Sequence, residues 1–75
     1  MIVKIGQFRK SKDELIKSVR KQGIDSLSIF CACTGLPVVA ACLFLKEEFP
    51  DSAEKMDKKI EALKEFYGYE EIREL

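Results

Sequence analysis

The chain has 75 residues, a length that holds one hydrophobic core and excludes two independent ones. Hydrophobic residues make up 47% and charged residues 35%, a globular balance that excludes a disordered or fibrous polypeptide. Thirteen basic side chains offset thirteen acidic ones, so no net field draws the chain to nucleic acid or anionic lipid.

The first six residues, Met1 to Gly6, set Lys4 inside an apolar run, and no small-residue cleavage site follows. A signal peptide is not expected. Ile2, Val3, Ile5 and Phe8 predict a first strand over Met1 to Phe8. Ser11-Lys12-Asp13-Glu14 has the spacing of a capping box, in which Ser11 accepts from the Glu14 amide. Leu15, Ile16 and Val19 then form one apolar stripe, and Gly23 can end a helix over Ser11 to Gln22.

From Ile24 to Leu45 the helical period is lost. Leu27 to Cys33 is β-compatible, Thr34-Gly35-Leu36-Pro37 supplies turn residues, and Val38 to Leu45 is a second apolar run. This predicts a hairpin. The competing reading is a helix from Pro37 to Phe49, favoured by Ala40, Ala41, Leu43 and Leu45. The apolar stretch from Leu36 to Leu45 is about half of what a membrane-spanning helix needs.

After Pro50, Asp51-Ser52-Ala53-Glu54 repeats the cap pattern. Ala53, Met56, Ile60, Leu63 and Tyr67 recur at helical spacing, and Gly68 ends that helix. The tail, Tyr69 to Leu75, fits a helical turn or a short edge strand. With a strand there, the order is βαββαβ, an α+β ferredoxin-like sandwich with two helices on one face of an antiparallel sheet.

In that hairpin, alternation places Leu27, Ile29, Cys31, Cys33, Val38, Ala40, Cys42 and Phe44 on one face. The opposite face carries Phe30, Ala32, Val39, Ala41, Leu43 and Leu45, so both faces are apolar. Two helices cover only one face, and monomers rarely leave so large an apolar patch in water. The expectation is a homodimer or higher homo-oligomer with Leu27, Ile29, Cys31, Val38, Ala40, Cys42 and Phe44 at the interface. The alternative is that the C-terminal segment folds across the open face.

Ile29 to Val39, with its Thr34-Gly35 turn, and Leu63 to Ile72, with its Gly68 turn, resemble the ACT domain and the related RAM domain of the Lrp/AsnC regulators. That resemblance covers nearly the whole chain and implies the βαββαβ layout. It also implies a small ligand, such as an amino acid, at a subunit interface, with Thr34 and Gly35 as ligand-contact positions. Val38 stands where that family commonly has an acidic residue.

Cys31, Cys33 and Cys42 point to one face of the expected hairpin and offer a second reading, a thiol-dependent metal or redox protein. A structural zinc site wants four ligands and the chain has no His, so buried apolar thiols are preferred and no metal or cofactor is assigned. An odd cysteine count also departs from a secreted disulfide framework, which predicts a soluble cytoplasmic protein with reduced thiols. Arg9, Lys10 and Lys12 beside a helix N-terminus would favour an anion, although a solvated basic loop accounts for them as well. Phe8, Phe30 and Phe44 do not share a face as RNA-stacking aromatics would. Glu47-Glu48 and Glu70-Glu71 are sequence neighbours without the form of an acid/base pair. The sequence therefore points to a non-catalytic, ligand-responsive or interaction module, with no nucleic-acid or membrane partner.

Overall fold

A computed structural model describes residues 2–68 and 71–73. Four helices dominate: α1 (Lys12–Gln22), α2 (Leu27–Thr34), α3 (Val38–Glu48) and α4 (Ala53–Tyr67). Short 3-10 turns at Gly6–Ser11, Ile24–Ser26 and Pro50–Ser52 lead into α1, α2 and α4. Ile2–Lys4 (β1) and Glu71–Arg73 (β2) pair in parallel, with Val3 opposite Ile72, and the Ile5 amide donates to the Arg73 carbonyl at 2.8 Å.

The expected α+β ferredoxin-like sandwich is thereby corrected. The expected hairpin is a helix–turn–helix, and no antiparallel sheet exists among the described residues. The reason is visible in α3. Its first eight residues are apolar on every side, which as a strand would leave one face wet. As a helix it becomes the central element, with α1, α2 and α4 all packed against it. Val39, Ala40, Ala41, Cys42, Phe44 and Leu45 are all buried there. The helical alternative over Pro37 to Phe49 is the one the chain adopts, bounded at Val38 and Glu48. The first strand shrinks to three residues because Gly6–Ser11 turns helically.

The same 3-10 turns explain why neither expected capping box forms. Ser11 already has helical dihedrals and makes no side-chain cap, and the Lys12 amide is taken by the Arg9 carbonyl. In the second pattern Asp51, the residue spaced to cap before Glu54, lies inside the 3-10 turn. Ser52 at the start of α4 makes no side-chain cap, and the Ala53 amide is taken by the Pro50 carbonyl. The C-terminal ends agree with expectation, α1 stopping at Gly23 and α4 at Gly68. Of the tail, residues 69, 70, 74 and 75 lie outside the described ones.

The Thr34–Pro37 turn survives in a new role, reversing the chain between α2 and α3. The Gly35 amide donates to the Cys31 carbonyl at 2.9 Å, and Gly35 caps α2 in the left-handed conformation, φ 75°. The Thr34 hydroxyl donates to the Phe30 carbonyl at 2.8 Å. Pro37, with no amide hydrogen to leave unpaired, directly precedes α3 and accepts from the Ala41 amide at 3.1 Å. A Cβ on Gly35 meets nothing within 4 Å, so Gly35→Ala is expected to cost only backbone energy, about 1–2 kcal/mol. Urea unfolding monitored by circular dichroism measures this, and an unchanged midpoint would contradict the left-handed turn.

One core cluster joins all four helices. Ile5 from the N-terminal segment meets Leu15 and Val19 of α1, Leu27 and Cys31 of α2, the α3 residues named above, and Met56 and Ile60 of α4. Charged residues fasten the rim. Arg20 pairs with Glu48 at 2.7 Å, Lys46 with Asp57 at 2.7 Å, and Lys12 with Glu47 at 3.0 Å. Such exposed pairs each contribute little, about 0–1 kcal/mol.

Candidate functional site

The expected intersubunit residues are placed differently by the helical fold. Leu27, Cys31, Ala40, Cys42 and Phe44 are buried in the chain's own core, and Val38 is half-buried against it. Ile29 alone of that set stands exposed, at 67%. A strand would have aimed Ile29 the same way as Leu27 and Cys31. On a helix it falls on the side away from them, because successive residues turn by about 100°.

An apolar groove opens where the α2–α3 turn meets the C-terminal half of α4. It is lined by Ser28, Cys31 and Ala32 of α2, by Gly35, Leu36 and Pro37 of the turn, by Val38 and Val39 of α3, and by Leu63 and Tyr67 of α4. Its volume is about 410 Å³, within the range that accepts a small apolar ligand or a protruding side chain. None of the described lining residues is charged. The groove inherits this from the sequence, since no charged residue occurs between Asp25 and Lys46.

Of the expected ligand-contact pair, Gly35 lines the groove, whereas Thr34 is not among its lining residues and its hydroxyl serves the turn. The Leu36 amide also approaches the Thr34 hydroxyl, at 3.4 Å. Beside the groove, Phe66 is 81% exposed and Tyr67 is 55% exposed. Their rings pack edge to face with centroids 4.9 Å apart. Tyr67 was expected in the buried stripe of α4, but only Met56 and Ile60 of that stripe are fully covered. Phe66 was not singled out by the sequence reading. The available signal was its position one residue off the stripe of Met56, Ile60, Leu63 and Tyr67.

The cysteines separate. Cys31 and Cys42 are buried, Cys33 is exposed, and all three are free. Burial pushes the Cys31 thiol up, and burial pushes Cys42 up to about 11 despite the opposing charge of Lys59. Thiols shifted in this direction are poor nucleophiles and poor metal ligands. Among the described residues no group of three or more His, Cys, Asp or Glu side chains is placed to hold a metal. The expected common face of three sulfurs belonged to the hairpin and is lost with it.

Two cations of the basic segment, Arg9 and Lys12, are tied down. Lys12 reaches Glu47 at 3.0 Å, and Arg9 approaches the same carboxylate at 3.9 Å while its guanidinium lies 5.7 Å from the Phe44 ring centre. Glu47 and Glu48 face cations of the N-terminal region and α1 instead of forming a carboxylate pair. A polar cleft of about 360 Å³ lies between Lys12, Asp13, Lys17, Arg20 and Glu48, with both signs of charge on its walls. Phe44 is fully buried and Phe8 and Phe30 partly so, which leaves no open stacking platform from these three.

No helix among the described residues is long and apolar enough to cross a membrane. No protein-family model, curated protein or solved structure matches the chain.

Proposed function

We propose that this chain is a non-catalytic interaction module whose working surface is the uncharged groove at the α2–α3 turn and the aromatic end of α4 beside it. The supporting observation is the coincidence of an apolar groove with the exposed aromatics Phe66 and Tyr67 on a surface otherwise dense in Lys and Glu. Contiguous apolar surface that folding leaves open marks a place where something else binds. The recessed thiols and the ion-paired carboxylates support a binding role over a catalytic one. Three unpaired thiols suit a reducing compartment, and we place the module in the cytoplasm.

An anilinonaphthalenesulfonate dye, an apolar ring system carrying one sulfonate, titrated into dilute protein and followed by NMR, tests this reading. The expected result is shifts at Ala32, Leu36, Val38 and Leu63. Ala32→Glu, at an exposed groove position, obstructs the recess and repels the sulfonate, and is expected to weaken the dye at least about tenfold, a loss of about 1.4 kcal/mol, with unchanged helicity. Shifts confined to other residues, or none, would overturn the proposal.

A further inference from the structure

Resting on the reading of the groove as a binding surface, we infer that its occupant is a second copy of this chain. The contact is two-fold, each copy's Phe66 entering the other's groove. A two-fold contact requires a projection and a matching recess on the same surface, because both copies present the same patch. That requirement is met here. Phe66 is 81% exposed and packs edge-on against Tyr67, and Tyr67 is itself a groove wall. An aromatic side chain fits within the recess of about 410 Å³.

Charge does not oppose the pairing. The chain carries no net charge, so two copies meet without long-range repulsion. The described groove residues are uncharged, so none of them presents an ionised group to be stripped of water there.

Area limits the strength. A fully buried aromatic covers roughly 150–250 Å², so Phe66 and Tyr67 at their observed exposure offer about 300 Å² together. With the groove walls this remains below the roughly 800 Å² per partner of a standard stable complex. The dimer is therefore weak and concentration-dependent, and Phe66 is its anchor.

Sedimentation velocity from about 10 μM to about 1 mM tests the inference. The expected result is a monomer–dimer equilibrium that changes less than about twofold between low and high salt, since the contact is apolar. Phe66→Glu removes the projection, and Ala32→Lys obstructs the recess. Each variant alone is expected to associate at least about tenfold more weakly, with native circular dichroism. Mixed in equal amounts, the two variants are expected to regain association above either alone. The Phe66 ring of the groove variant still finds an intact recess, and at the second contact the introduced carboxylate faces the introduced ammonium. A monomer throughout the series, a steep loss with salt, or no recovery on mixing would each overturn the second-copy inference. If the dye still binds the groove in that event, the interaction-module reading stands on its own. If the chain dimerises yet the dye finds no groove, the reading fails and the dimer uses another surface.

Discussion

Phe44→Ala is expected to cost this protein more stability than any surface substitution, about a quarter of the total at the least. Phe44 is 0% exposed at the centre of α3, and emptying such a site typically costs about 3–5 kcal/mol through lost transfer energy and the cavity left behind. A folded domain carries about 0.05–0.15 kcal/mol per residue, so a chain of this length holds roughly 4–11 kcal/mol. One side chain thus accounts for about a quarter of the total or more. Part of the loss is the Arg9 guanidinium over the ring, a contact of about 0.5–1 kcal/mol at a partly open site. Urea unfolding of Phe44→Ala should show a much lower midpoint at similar slope, or no cooperative transition at all. Ile29→Ala, at an exposed position of α2, is the matching control and is expected to change stability by less than about 0.5 kcal/mol. Equal effects at the two positions would contradict the placement of α3 as the central helix.

The second large effect is a separation of the three thiols. At pH 8 an aromatic disulfide reagent is expected to modify Cys33 quickly, because its sulfur is exposed. Cys42, 0% exposed, reacts only when the packing around α3 opens, whereas Cys31, 5% exposed and lining the groove, reacts at an intermediate rate. If that opening costs about 4 kcal/mol, the Cys42 rate falls about a thousandfold below that of Cys33. The buried pair also gives the protein an alkaline limit. Cys42 ionises at about 11 in the folded chain and near the ordinary 9.0 in the unfolded one. Between those values the folded state holds the proton more tightly, so stability falls as pH rises and is unaffected by Cys42 below about pH 8. The loss attributable to Cys42 is at most about 3 kcal/mol by pH 11, and Cys31, shifted in the same direction, adds to it. Melting curves of the natural chain and of Cys42→Ala over pH 8–11 should diverge, the natural chain losing more. Parallel curves, or equal labelling of all three thiols, would show that the α2–α3 interface is open.

Several features were legible from local pattern. The stripe Leu15, Ile16 and Val19 marked α1, Met56 and Ile60 marked α4, and Gly23 and Gly68 marked where those helices stop. Each helix has a wet and a dry face, so hydrophobic period alone identifies it. The same test fails between Leu27 and Leu45, because a segment buried on all sides has no polar face to set a period. Alternation there read as a ribbon with two greasy faces, and the apolar surplus was assigned to a neighbouring subunit. In the fold most of that surplus is absorbed within the chain, since α3 is enclosed by α1, α2 and α4.

The candidate site divides in the same way. The amino-acid order determined that the middle of the chain would be uncharged and would turn at Thr34 to Pro37, because neither property depends on what surrounds it. It also determined two good helices, one on each side of that middle. Only tertiary packing decided that Phe44 and Cys42 would be interior while Ile29 and Phe66 would remain in water. Whether an apolar side chain is covered depends on which elements pack over it, and the chain settles that only when all four helices meet.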